Sequence, residues 1–425
     1  MVAALLFALH PVHTEAVTGI VGRAELLSAL LCISGLLLYM SAVDTDAPLV
    51  SLRCGGVAFA ALTCAAAAMT AKETGFTILA AFVLYELLHV AVGTQIVVSA
   101  RPGARRRTWW RSLVRLNATF ALALGYLAAR SAIIGGDTLV HIYRKVENPL
   151  AFYPTVQERL LATAHQHWLY AYLLAAPVQL SADWSFSCIK PVTGIDDVRN
   201  VGTLALYCSA AVLVLQAVPW RWRRDEQLRA SRVRAYIFLA LSVAPFVPAA
   251  NVRVFFVVIS TQLLTAPRVQ IFFYVGTFIG ERLLYMPSLG FCLLLSEPLT
   301  ALAGGGASQL GSPPRKVACT AGAVLIAALL AAYGARTWVR NADWATEETL
   351  FLAAIGVCPD SAKVRLNNGI IARRYENWMG AIAHFSRAQE IEPGYCEPTY
   401  WIGITKARVP ACCGLFASLT LASCR

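Results

Sequence analysis

Long apolar runs alternate with short polar junctions from the start of the chain to about residue 336. A bilayer takes about 20 apolar residues to cross. Runs of that order fall at 24–42, 53–70, 74–95, 116–134, 200–219, 235–250, 254–280, 283–301 and 317–335. The run at 235–250 is short and carries Pro245 and Pro248. Segments this apolar are read as helices, because lipid offers the backbone no other hydrogen-bond partner.

After residue 340 the chain turns polar while keeping a helical period. In 362–395, Gly369, Ala381, Phe385, Ala388 and Pro393 fall at positions 8, 20, 24, 27 and 32 of a 34-residue tetratricopeptide repeat. Gly and Ala let two helices approach, Phe fills the groove and Pro ends the second helix. A second repeat starts at Cys396, has Gly403 at its eighth position, and breaks off in the tail. The expected organisation is a multispanning segment over 1–335, a connecting helix over 336–361, repeats over 362–408 and an atypical tail over 409–425.

Composition agrees with this pattern. Of the 425 residues 58% are hydrophobic and 14% charged, against about a quarter charged in soluble domains. The formal net charge is +12. Its Lys and Arg cluster between apolar runs, as cytoplasmic loops do, so a nucleic-acid partner is not expected. The 12 cysteines contain no CxxC pair, and many lie inside apolar runs (Cys32, Cys64, Cys208, Cys292). Neither a metal site nor a disulfide framework can be read from them.

Two basic clusters, 101–115 and 221–234, set the orientation. Trp109, Trp110 and Trp220 beside them serve as interface anchors. With both clusters cytoplasmic, the spans at 116–134 and 200–219 put 135–199 on the far side. The piece 167–180 then cannot cross, and reads as an interfacial or re-entrant helix. Counting outward puts the polar motifs and everything after 336 on that same face.

Those motifs carry the candidate chemistry. HPVHTEAVTGIVGR (10–23) holds His10, His13, Glu15 and Arg23 between apolar runs. Ionisable groups at membrane depth point to function. Glu15 can act as a base and the histidines can meet a phosphate, or the group can simply cap a helix. Lys72-Glu73 in MTAKETG is either an ion pair within a tight turn or a cation for an anionic head group. Arg144, Lys145, Glu147, Trp168, Tyr170, Tyr172 and Asp183 give 135–199 an aromatic and charged surface, either a belt or part of a sugar pocket. GERLLYMPSLGF (280–291) offers Arg282 and Tyr285; Arg282 suits a phosphate, or pairs with Glu281.

HPVHTEAVTGIVGRAELL, TAKETGFT, DWSFSCI and FYVGTFIGERLLYMPSLGFC, followed by the repeat, resemble the transmembrane and tetratricopeptide-repeat-containing O-mannosyltransferases. The resemblance covers roughly 1–250 and 271–403. It implies an all-α, polytopic GT-C-type glycosyltransferase of the endoplasmic reticulum membrane, with motifs and repeats in the lumen. Its donor would be dolichyl phosphate mannose and its acceptors Ser or Thr of secretory proteins such as cadherins. His10, Arg23, Lys72, Glu73, Asp183, Arg282 and Tyr285 would serve the donor or its phosphate. Glu15 and His13 would support catalysis. The H-x-x-H-x-E spacing of His10, His13 and Glu15 resembles a metal-ligand set only weakly, with no third ligand identifiable, so a divalent metal is left open and none is assigned. A non-catalytic scaffold that recruits partners through the repeats is the alternative; a transporter would instead need midplane charges and repeated spans.

The chain departs from the family in three places. Family members carry a further span and an acidic luminal loop ahead of where this chain starts, so the leading base is expected to lie there. About 20 residues, roughly 252–270, intervene between PFVPAAN and the FFYVGTFIGERLLY stretch, and the tail after Arg408 matches no repeat. Both deviations begin at a Val-rich join, NVRV and ARVP, as translated introns would.

Overall fold

A computed structural model describes residues 1–44, 51–96, 102–134, 145–217, 226–247, 278–304 and 313–408. The expected insert at about 252–270, most of the run at 254–280, Arg144 and the tail from 409 lie outside the described residues. Every regular element among the described residues is helical. Among the described residues six helices are long and apolar enough to cross a membrane: Ile20–Val43, Cys54–Ala71, Glu73–Val90, Trp109–Ile133, Glu281–Gly304 and Cys319–Asp343. Two apolar helices, Asn200–Leu215 and Arg234–Val243, are shorter. The 167–180 piece lies largely on a helix, Val156–Ala175, that does not meet the length and apolarity of a span.

The chain divides into two compact units. The first comprises 1–141, 205–249 and 282–335. It contains α1 (Val2–Ala8), α2 (His13–Thr18), α3 (Arg23–Val43), α4 (Val57–Ala71), α5 (Ile78–Ile96) and α6 (Pro102–Ile134). Its core joins Tyr39, Ala61, Ala65, Ala68, Phe82 and Leu241. Lipid supplies no hydrophobic drive between helices, so close packing of small residues must do it. The Ala-rich α4 permits that: a Cβ on Gly35 of α3 would stand 3.2 Å from Cys64 Cβ. One charged network sits inside this apolar core. Glu86 is fully buried and receives Arg115 Nε at 3.1 Å, Arg115 Nη2 at 2.6 Å and Tyr39 OH at 3.1 Å. All the groups concerned are satisfied, which is the condition for a buried pair to be tolerated.

The second unit comprises 142–204, 250–281 and 336–425. Its first long helix is α7 (Val156–Ala175), which opens on a reciprocal cap between Thr155 and Glu158. Next in the chain come α8 (Asn200–Ala217), α9 (Glu226–Val243), α10 (Tyr285–Gly304) and α11 (Pro313–Asp343), which belong wholly or mostly to the first unit. The polar helices α12 (Glu347–Val357), α13 (Ala362–Arg374), α14 (Trp378–Ile391) and α15 (Cys396–Lys406) belong to the second unit. The expected repeat register is compatible with the hairpin of α13 and α14. Ala381, Phe385 and Ala388 are buried, and a Cβ on Gly369 would lie 2.4 Å from the Phe385 ring.

The segment 183–188 is built into this helical core. Phe186 packs with Tyr395 at 4.7 Å between ring centres and shares a cluster with Phe385 and Ile402. Its N–H donates to Val146 O at 2.8 Å, and its carbonyl accepts from Ala362 N at 3.0 Å. Phe186 and Ser187 take φ of 55° and 70°, a left-handed conformation that side chains other than glycine rarely adopt. Directly after them, Cys188 forms a disulfide with Cys358, 170 residues away. The sequence reading found no such bond. The sequence carries little signal for it: Cys188 lies in a polar stretch, but Cys358 closes the apolar run LFLAAIGV (350–357) much as Cys32, Cys64 and Cys292 lie in theirs.

Candidate functional site

The tight turn between α2 and α3 organises the first unit's polar residues. A Cβ on Gly22 would fall 2.2 Å from Ala16 O, so only glycine lets the chain double back here. The turn leaves Glu15 on α2, and Arg23 exposed at the start of α3.

Glu15 meets Arg282, the second residue of the 3₁₀ turn Glu281–Leu284 that leads into α10. One Glu15 oxygen accepts the Arg282 backbone N–H at 2.9 Å; the other accepts Arg282 Nη1 at 3.1 Å. Glu15 is 12% exposed and Arg282 29%. Arg282 Nε is buried and has no partner among the described residues. The carboxylate therefore fixes one edge of the guanidinium and leaves donor capacity for an anion. The expected alternative of a Glu281–Arg282 pair is corrected: each side chain takes a different, distant partner.

His13 lies deeper. Its Nε2 is 2.7 Å from Ser288 Oγ, which in turn donates to Tyr285 O at 2.7 Å. A hydroxyl has one proton, so His13 Nε2 is the donor to Ser288. Burial, with a smaller push from His10, brings His13 from 6.5 down to about 3. His10 is fully buried and its Nδ1 accepts Val12 N–H at 3.4 Å. The Tyr285 ring packs on His13 at 4.5 Å, and Tyr333 on His10 at 4.8 Å. The two histidines and Tyr285 thus form an aromatic packing cluster.

Lys72 and Glu73, between α4 and α5, do not pair with each other. That expectation is corrected because the chain is extended at Lys72 (φ −155°, ψ 141°) before the turn beginning at Glu73. Lys72 Nζ reaches Glu25 of α3 at 3.1 Å, and Glu73 reaches Arg130 of α6 at 3.2 Å. Thr74 Oγ1 also donates to Glu25, at 3.5 Å. Glu25 and Arg130 are thus members of this cluster that the sequence reading did not single out; only their helical registers at span ends could have flagged them.

The remaining expected residues are in the second unit. Asp183 is occupied locally: its Oδ1 accepts the Ser185 N–H at 2.7 Å and also the Ser185 hydroxyl. This is an Asx turn that shapes the segment before Phe186. Trp168 lies against Gly202, where a Cβ would come within 2.5 Å of its indole. Tyr170 OH accepts from Gly280 N at 3.2 Å. Lys145 is exposed and Glu147 half-buried. Glu281 is fully buried and accepts Ser181 N at 2.6 Å, Trp184 Nε1 at 3.2 Å and Arg340 Nη2 at 3.4 Å. Arg340, itself fully buried, also donates to Asp343 at 3.3 Å.

Comparison with known proteins gives a consistent set of relatives. Residues 137–211 match the family described as Protein O-mannosyl-transferase TMTC, DUF1736. Protein O-mannosyl-transferase Tmtc3 of Drosophila melanogaster is 31% identical over 419 residues, covering 92% of this chain and 40% of the relative. Protein O-mannosyl-transferase TMTC4 of Mus musculus is 30% identical over 409 residues, covering 91% and 48%. Human TMTC3 is 28% identical over 400 residues, covering 92% and 39%. The chain thus spans less than half the length of each of these relatives. No solved structure matches it.

Proposed function

Because this chain belongs to the transmembrane and tetratricopeptide-repeat-containing protein O-mannosyltransferase family, we propose that it transfers mannose from dolichyl phosphate mannose to Ser or Thr hydroxyls of secretory-pathway proteins, at the luminal face of the endoplasmic reticulum membrane. The observation that carries the reading is the Glu15–Arg282 clamp. In the transfer, the acceptor oxygen attacks the anomeric carbon and the bond from that carbon to phosphate oxygen breaks. Dolichyl phosphate leaves with the electron pair, and the acceptor proton passes to a carboxylate. Charge grows on the departing phosphate, so a pre-oriented cation lowers the barrier. Arg282 supplies it, held by Glu15 with Nε still to be satisfied.

Glu15 is committed to Arg282 and is a positioning residue in this scheme. His13, neutral and bonded to Ser288, supports the turn at Tyr285 rather than moving a proton. Arg23, exposed at the start of α3, attracts the lipid-linked phosphate to the membrane face, where Lys72 and Arg130 can exchange their carboxylate partners for it. The Cys188–Cys358 bond supports a luminal position for the second unit, since disulfides persist in oxidising compartments. Cadherin-like domains are the acceptor class proposed for its helical hairpins.

The test is transfer of labelled mannose from dolichyl phosphate mannose to an acceptor domain by the full chain in membranes. Arg282→Ala is expected to lower transfer by at least about tenfold, the loss of one charge-assisted contact. Transfer that persists unchanged in both Arg282→Ala and Glu15→Gln overturns the site. A wild-type chain that transfers nothing yet captures acceptor domains is a scaffold instead, the reading favoured by the engagement of Glu15.

A further inference from the structure

A groove of about 320 Å³ runs between α5 and α6 in the first unit. Its wall is formed by Phe76, Val83 and Leu87 on one side and Thr119, Phe120 and Ala123 on the other. The hydroxyl of Thr119 is turned back to Arg115 O at 2.9 Å, so the wall presents apolar surface. Both sides lie on helices long and apolar enough to span a membrane. From Phe76 to Leu87 the wall is about 16 Å long at the helical rise. Phe120 and Leu87 are 55% and 53% exposed, which suits a face covered by lipid chains.

One end of the groove is polar. Phe76 stacks on Tyr126 at 5.7 Å. Ala123, Tyr126 and Arg130 follow one another along a single face of α6. Arg130 Nη1 donates to Tyr126 OH at 3.2 Å, and Nη2 to Glu73 at 3.2 Å. Glu73 is 53% exposed, so its hold on Arg130 is a water-screened contact of small net strength. A phosphate can take Glu73's place without leaving a buried charge unpaired. Lys72, next in the chain to Glu73, adds a second cation at this end.

An apolar trough that ends beneath a guanidinium is complementary to a lipid whose chain carries a single anionic phosphate. We propose that the α5–α6 groove seats the isoprenoid chain next to the phosphate of the lipid-linked donor, with Arg130 receiving the phosphate as the donor arrives. The inference rests on the lipid-donor reading above for the identity of the lipid, and on the groove and its polar end for the place.

The probe is a polyprenyl phosphate bearing a photoreactive diazirine on an isoprene unit near the phosphate. It is applied to the full chain in phosphatidylcholine nanodiscs, and labelled peptides are mapped by mass spectrometry. Labelling is expected within 76–87 and 119–123, competed by unlabelled polyprenyl phosphate and not by added phosphatidylglycerol. Ala123→Phe, which fills the groove, should lower labelling by about tenfold with an unchanged melting temperature. Val83→Trp fills it from the other wall should the first variant fail to fold. Arg130→Gln should lower labelling by the phosphate probe by about tenfold, one charge-assisted hydrogen bond, and leave labelling by an uncharged polyprenol probe unchanged. Labelling elsewhere, equal competition by phosphatidylglycerol, or indifference to groove filling in a folded variant overturns the proposal. Labelling needs no turnover, so a chain that is labelled here and transfers no mannose sinks the transferase reading and leaves the groove standing.

Discussion

Glu15 binds Arg282 twice, accepting its backbone N–H with one oxygen and its guanidinium with the other. A carboxylate placed this way sets both the start of the turn into α10 and the aim of the cation. Arg282→Lys keeps the charge and loses the planar fork, so it should not substitute for Arg. Expected is a fall in transfer of about tenfold or more with the protein still folded. Glu15→Gln retains an acceptor for the backbone N–H and loses the charge, and should give a smaller fall. Initial rates at several donor concentrations measure both. Equal activity of Arg282→Lys and wild type would refute the fork.

Acid should weaken the first unit through His13. Its pKa falls from 6.5 in the unfolded chain to about 3 in the folded one, first because of burial. The folded state thus binds fewer protons than the unfolded state between those values. Stability is complete above about 6.5 and declines as pH falls toward 3, by up to about 1.4 kcal/mol per pH unit from this group. His13→Gln keeps a donor for Ser288 and removes the titration. Thermal unfolding at about pH 7 and pH 5 should show a smaller shift in the variant than in wild type.

The buried Glu281–Arg340 pair makes an asymmetric prediction. Arg340→Met leaves the Glu281 carboxyl buried among Ser181 and Trp184 with no counter-charge, which should destabilise the second unit by about 3–5 kcal/mol. Adding Glu281→Gln should recover a large part of that loss, because the amide can still accept both N–H groups. Urea unfolding followed by the fluorescence of this unit's tryptophans reports the difference. A double variant no better than the single would disprove the explanation.

Gly369 and Phe385 predict a coupled pair in the helical hairpin. Gly369→Ala drives a methyl into the Phe385 ring and should cost about 1–3 kcal/mol. In a Phe385→Leu background the same substitution should cost much less, since the ring it strikes is gone. A double-mutant cycle on the melting temperature measures the coupling. Additive effects would mean that the two residues do not meet.

The spans were legible in the sequence because lipid is a uniform solvent. A run such as 24–42 needs no knowledge of its neighbours to be read as a helix. Spacing within one segment is likewise local: the register of Gly369, Ala381 and Phe385 is compatible with the α13–α14 hairpin. The choice of ionic partners was not. Lys72 has Glu73 beside it and takes Glu25, 47 positions earlier; Arg282 has Glu281 beside it and takes Glu15. Such pairings follow from how α2, α3 and the turn before α10 come together, which no local pattern records. Asp183 shows a second use of a residue read as a ligand. Its place in an aromatic loop suggested a ligand, whereas a carboxylate two residues before a serine is equally suited to close its own turn.

The bond between Cys188 and Cys358 also imposes an order on biosynthesis. At translation speeds of about 5–20 residues per second, the 170 residues between the two thiols take roughly ten to thirty seconds to emerge. During that interval the helices from α8 to α11 are synthesised while Cys188 waits as a free thiol. Phe186 waits with it, for its pocket on α13 and α14 has not yet been made. The 183–188 segment therefore matures last rather than in the order of its sequence, since both its disulfide and the seat of its aromatic ring wait for residues made much later.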